Sequence, residues 1–172
     1  KKKKTVYIDD GSQIADMSAL GRGNAQRKRG DSSHPRASFN EQFKTEALYN
    51  FIQTLKDEDG NYLIDGIGFQ AHLYTEDDLA LYFAHMDKMA TLGLKINLTE
   101  LDVCLGTYPI IKAATEPNLK AQGQWYYNLI AGTLERVEAG TVNMDALTIW
   151  GFTDVLSWRR ERSPMPFNMA LK

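Results

Sequence analysis

The sequence is short of several things, and each absence excludes something. It has one cysteine, Cys104, in 172 residues, so no disulfide forms within the chain, and the compartment stays open. No apolar run approaches the ~18 residues that suggest a membrane-crossing helix. Neither charge dominates: 20 Lys and Arg against 22 Asp and Glu give a formal net charge of -2, so no global field draws in nucleic acid. Four lysines open the sequence, but the strand-like Thr5-Val6-Tyr7-Ile8 follows them in place of a signal peptide's apolar segment. His72 and Cys104 are not at metal-ligand spacing, and no metal or cofactor is expected. Gly21-Arg22-Gly23 lacks the third glycine of a dinucleotide fingerprint. The basic cluster Arg22, Arg27, Lys28 and Arg29 has no interleaved aromatics and reads as a solvated loop.

What is present suits one domain with a packed core, since 43% of the residues are hydrophobic. Four apolar runs read as buried strands: Thr5 to Asp9, Ile64 to Leu73, Lys95 to Val103 and Ala146 to Asp154. Each is β-branched or aromatic-rich without clean polar alternation, as parallel strands covered on both faces are. Between them lie three runs of helical period. Phe43, Ala47, Phe51 and Leu55 make one stripe near residues 41–58. Leu79, Phe83, Met86 and Ala90 make the second, over 76–92, with Thr75 the expected N-cap and Gly93 the stop. Tyr126, Ile130, Leu134 and Val137 make the third, over 117–138, with Pro117 near its start. Residues 11–40 carry no apolar stripe and read as a long loop or insertion. The order β-α-β-α-β-α-β implies parallel strands joined by right-handed crossovers. It fits either an open doubly wound sheet or part of a (β/α)₈ barrel.

In parallel barrels, reacting groups sit at the C-terminal ends of the strands. There the second run carries Gln70 and His72, the third Glu100 and Asp102, and the fourth Trp150, with Trp158, Arg159 and Arg160 just beyond. Alternation puts Gln70 with His72 and Glu100 with Asp102, so neighbouring strands would bring an imidazole to two carboxylates. Glu100 alone also reads as a buried ion-pair partner. Trp150 and Trp158 read as core packing or, beside a carboxylate, as a platform for sugar rings. Arg159 reads as a hydroxyl ligand or a solvent-facing charge. Asn97-Leu98-Thr99 is a glycosylation sequon inside a predicted strand, where modification is not expected.

Three of these segments resemble family 10 glycoside hydrolases. Residues 64–73 (IDGIGFQAHL) resemble the sixth barrel strand, 96–103 (INLTELDV) the seventh, and 148–154 (TIWGFTD) with 157–160 (SWRR) and Ser163-Pro164 the eighth strand and its loop. The resemblance covers about residues 41–172. It implies a (β/α)₈ TIM-barrel fold, with this chain the C-terminal half of the catalytic domain supplying about strands five to eight. It also implies retaining endo-1,4-β-xylanase activity on xylan or xylo-oligosaccharides, and a secreted or cell-surface location. Glu100 matches the nucleophile, His72 the histidine that bonds it, and Asp102 the acid behind the histidine. Gln70, Trp150, Trp158 and Arg159 match or neighbour residues lining the sugar subsites. The sequence departs from the family in several ways: it shows no match to strands one to four, and residues 11–40 do not resemble the family's connection. No Asn-Glu pair stands in the context of the family's acid/base glutamate, and Gly11 stands where the family has a tyrosine. The expectations are therefore the nucleophile half of a site, partnered by an N-terminal half-barrel or by self-association. The alternative is a non-catalytic xylan-binding half-barrel.

Overall fold

The computed structural model describes residues 5–8 and 36–167, with side chains from residue 44 on. Among the described residues there are five strands: β1 (Thr5–Ile8), β2 (Gly66–Phe69), β3 (His72–Tyr74), β4 (Lys95–Cys104) and β5 (Leu147–Ile149). Three helices lie between them: α1 (Arg36–Thr54), α2 (Leu79–Ala90) and α3 (Glu116–Glu138).

Every pairing among these strands is parallel. β1 pairs with β2, β2 with the first half of β4, β3 with its last residues, and β5 with the middle of β4. Leu98 is in register with both Phe69 and Leu147, so β2 and β5 flank β4 on opposite sides. The strands therefore run across the sheet in chain order. An open doubly wound sheet reverses its order at a switch point, and this one does not. Helices α1 and α2 touch, α2 and α3 touch, and both α2 and α3 pack on β4. A consecutive parallel sheet with neighbouring helices is a segment of a (β/α)₈ barrel.

The core lies between sheet and helices. Ile67, Ile96, Leu98, Leu101 and Val103 from the strands meet Ile52, Met86 and Leu129 from the helices, all at 0% exposure. Each such side chain contributes about 1.5–3 kcal/mol of transfer free energy. Among the described residues no helix is long and apolar enough to cross a membrane.

Several sequence expectations are corrected. The second run is not one strand: Gln70 and Ala71 interrupt it, and Ala71 is left-handed at φ 65°. A side chain rarely adopts that conformation, and holding it costs on the order of 1–3 kcal/mol. The fourth run is a strand only over Leu147–Ile149, then turns away through two short 3₁₀ segments, Asp154–Leu156 and Arg160–Arg162. Helix α1 begins at Arg36, so residues 36–40 belong to it rather than to a loop, while the loop expected at 11–35 and Asp9 fall outside the described residues. The N-cap of α2 is Asp78, whose Oδ1 accepts from the Ala80 and Leu81 amides at 2.9 and 3.2 Å. Thr75 instead accepts the Gly106 amide through Oγ1 at 3.0 Å. The α2 stripe and the Gly93 stop, at φ 72°, are as expected.

Two helix faces are rotated from the expected stripes. In α1, Phe51 is 38% exposed while Ile52 is fully buried, with Leu48, Tyr49 and Leu55 packed around the core. In α3, Leu134 is 53% exposed and the buried row is Gln122, Tyr126, Leu129 and Thr133. The polar members of that row are satisfied, as burial requires. Gln122 Nε2 donates to the carbonyls of Val103 and Ser163, Tyr126 Oη donates to the Pro164 carbonyl, and Thr133 Oγ1 donates to the Leu129 carbonyl.

Candidate active site

The site forms where β3 and β4 end. His72 and Asp102 are direct register partners across the β3–β4 pair, which sets their side chains side by side on one face. His72 Nδ1 lies 3.1 Å from Asp102 Oδ2 and His72 Nε2 lies 3.2 Å from Glu100 Oε2. The three groups thus form a line: carboxylate, imidazole, carboxylate. Burial falls steeply along it. The Asp102 side chain is 0% exposed, His72 6% and Glu100 20%, so only the Glu100 end meets solvent.

A bulge in β4 makes this line possible. Leu98 pairs with Leu147 and Leu101 with Ile149, so three steps on β4 oppose two on β5. Leu147 and Ile149 share a face, so Leu98 and Leu101 share it too, and both reach the core at 0% exposure. The extra residue shifts the alternation and leaves Glu100 and Asp102 on the opposite side from Leu101. Bulges re-aim side chains in this way beside functional sites. The left-handed Ala71 lies across from the bulge: the Gln70 and Ala71 carbonyls accept the Glu100 and Asp102 amides at 3.0 and 3.1 Å. Two backbone irregularities on neighbouring strands thus hold the two carboxylates.

Gln70 joins the line through this backbone bond, and the expected strand alternation between Gln70 and His72 is broken by Ala71. Trp150 is 47% exposed and is anchored by its amide, which donates to the Leu101 carbonyl at 2.9 Å. Trp158 does more than line a surface. Its Nε1–H donates to Asp102 Oδ2 at 2.9 Å, and its ring packs edge-on against His72 at 4.8 Å between centroids. One carboxylate oxygen therefore faces both the indole N–H and the imidazole. Trp158 still leaves 52% of its surface exposed.

Arg159 is buried at 8% exposure, with its guanidinium 4.2 Å from the Trp158 ring centre and 5.5 Å from that of Tyr74. Arg162 lies between Tyr74 and Tyr108, at 5.7 and 5.8 Å from their rings. Burial pushes the Asp77 carboxyl up to about 6, against the Tyr74 amide that donates to it at 2.7 Å and the nearby Arg159 charge. Burial likewise pushes the Cys104 thiol up to about 11, with the Asp102 charge adding to the rise. Tyr74 and Arg162 carry no motif and went unread in the sequence, and Asp77 reads there only as an acid near the start of the second helix. The available clue was the indole: a buried tryptophan N–H seeks an acceptor, and Asp102 was the nearest candidate carboxylate by strand depth. Among the described residues no group of three or more His, Cys, Asp or Glu side chains is arranged to hold a metal ion.

Sequential parallel strands with carboxylates and an imidazole at their C-terminal ends define a segment of a parallel α/β barrel. The family model for glycosyl hydrolase family 10 matches residues 37–172, and the chain belongs to that family. It is 36% identical over 117 residues to endo-1,4-beta-xylanase A of Humicola insolens, covering 67% of this chain and 28% of that protein. It is 31% identical over 126 residues to the bifunctional endo-1,4-beta-xylanase XylA of Ruminococcus flavefaciens, covering 73% of this chain and 11% of that protein. Among solved structures, native xylanase 10C of Cellvibrio japonicus superposes with a TM-score of 0.63 at 26% identity, over 75% of this chain and 30% of that one. A mutant of the same xylanase, solved in complex with xylopentaose, gives the same TM-score. The chain thus spans about a tenth to a third of the length of these relatives.

Proposed function

We propose that this chain carries the nucleophile half of a retaining endo-1,4-β-xylanase site, with Glu100 attacking the anomeric carbon of a xylosyl unit. The observation that supports this most is the Glu100–His72–Asp102 line, with contacts of 3.2 and 3.1 Å. His72 engages Oε2 of Glu100, which leaves Oε1 as the attacking oxygen. The bond from Oε1 to the anomeric carbon forms as the bond to the leaving sugar oxygen breaks. That oxygen takes a proton from a second carboxyl, which in retaining enzymes lies about 5–5.5 Å from the nucleophile. Water then releases the sugar from Glu100. Trp150 and Trp158 offer exposed surface for the sugar's CH faces, and Gln70 follows the end of β2, its carbonyl accepting the Glu100 amide. The substrate class is xylan or xylo-oligosaccharide, which the xylopentaose complex of a structural relative favours.

The acid/base glutamate has no match within this sequence, so the second carboxyl comes from another half of the barrel. That same absence favours a second reading, a half-barrel that binds xylan without turnover. Glu100→Ala in the full protein separates them. Loss of aryl xylobioside cleavage supports the enzyme, and retained cleavage contradicts the role given to Glu100. Calorimetry with xylohexaose that shows binding without product supports the binding module.

A further inference from the structure

Arg159 follows Trp158 directly, yet the two side chains are placed differently. Trp158 is half-exposed, whereas Arg159 is nine-tenths buried. The guanidinium is held at its own end. Its Nη1 donates to Tyr74 Oη at 3.4 Å and contacts Cys104 Sγ at 3.9 Å, and Asp77 lies near enough to feel its charge. Its guanidinium carbon lies over the indole, 4.2 Å from the ring centre, a distance at which a cation attracts an aromatic face. A cation tied down in this way has little reach toward a sugar. What it does reach is the ring whose N–H bonds Asp102. Because Asp102 is fully buried, losing that donor would leave its carboxylate underbonded beside His72.

We propose that Arg159 is a positioning residue that fixes the Trp158 indole so that its N–H reaches Asp102, and that it acts on the Glu100–His72–Asp102 line through that contact rather than by touching substrate. Arg159 sets the ring, the ring's N–H sets one oxygen of Asp102, Asp102 sets His72, and His72 sets Glu100. The order of these contacts fixes what a substitution should change. Loosening the indole disturbs the reacting carboxylate, so turnover falls. The sugar-facing side of the indole changes less, so substrate affinity holds.

The activity arm of this inference rests on the reading of Glu100 as nucleophile; the spectroscopic arm does not. The test is Arg159→Met in the full protein, read by the Trp158 indole N–H resonance, assigned with Trp158→Phe, and by xylo-oligosaccharide kinetics. The indole proton should shift and exchange faster with solvent. kcat should fall by roughly 2–30-fold, the range of a partly desolvated cation–aromatic contact, with KM unchanged. Arg159→Lys keeps a charge beside Asp77 but loses the broad guanidinium over the indole, so it should show a smaller change of the same kind. It also serves as the test if the methionine variant does not fold. An unchanged indole resonance with unchanged kcat overturns the proposal. So does a raised KM with the indole resonance in place, which would make Arg159 a direct sugar ligand. If Glu100→Ala keeps its activity while the indole resonance still responds to Arg159→Met, the function reading fails and the positioning contact stands.

Discussion

Strand β4 and the segment after β5 both face the site, and they are built in opposite ways. β4 has ten residues, neighbours on both sides, and five of its apolar side chains at 0% exposure. β5 has three residues and one recorded partner, and the chain beyond it exposes Phe152 at 62% and Leu156 at 80%. The polar groups sit on the paired strands, where sheet register sets His72 opposite Asp102. The aromatic surface sits on the irregular segment, held by scattered backbone and side-chain bonds rather than by a strand ladder. Reacting groups need placement within fractions of an ångström, and a strand paired on both sides supplies it. A stacking surface for a sugar ring tolerates more freedom.

Substitutions can break or sharpen this contrast. The largest effect is expected at Glu100. Glu100→Gln should lower kcat on the order of 10⁴-fold or more, the scale of losing a covalent nucleophile. Initial rates on an aryl xylobioside check it. Next comes the β4 core. Leu98→Ala and Leu101→Ala should each cost about 2–5 kcal/mol of stability, read by denaturant unfolding. Trp150→Ala should act on binding, raising KM roughly 3–10-fold as one aromatic contact is lost, with kcat nearly unchanged. If Trp150→Ala instead cost as much stability as Leu98→Ala, the contrast between rigid strand and exposed segment would collapse.

A pH effect of smaller size should come from Asp77. Its folded pKa of about 6 is raised above the ordinary 3.8 by burial. The folded state therefore holds that proton more tightly than the unfolded chain. The stability this gives is fully present below about pH 3.8 and is lost as pH rises through about 6. Asp77→Asn removes the titration while keeping an oxygen for the Tyr74 amide, so it should flatten the melting temperature across that window. An unchanged slope would show that Asp77 is not the group responsible. Smallest of all, Leu156→Ala should change stability by less than about 0.5 kcal/mol, because that side chain is 80% exposed.

The sequence disclosed the strands best where apolar residues were continuous. β4 was read to within one residue, and the three residues of the line were named from strand depth and family resemblance. What stayed hidden has particular causes. Strand alternation assumes a period of two, so neither the extra residue in β4 nor the left-handed Ala71 was visible, although together they aim Glu100 and Asp102. Helix stripes were drawn from hydrophobic residues alone. The buried face of α3 includes Gln122 and Thr133, whose polarity is absorbed by backbone carbonyls, so the drawn stripe was rotated onto exposed Leu134. Arg159 was read as a sugar or solvent contact because arginine is usually exposed. Its partners Tyr74 and Cys104 lie 85 and 55 residues away in sequence.

The central claim is that Glu100 is the group that bonds to the sugar. A 2-fluoro xylobioside with a good leaving group traps such an intermediate. Incubating it with the full protein and mapping the labelled peptide by mass spectrometry tests the claim directly. The account predicts one added fluoro-xylobiosyl unit on Glu100, absent in Glu100→Gln. Label on another carboxylate, with Glu100 unmodified, would contradict it.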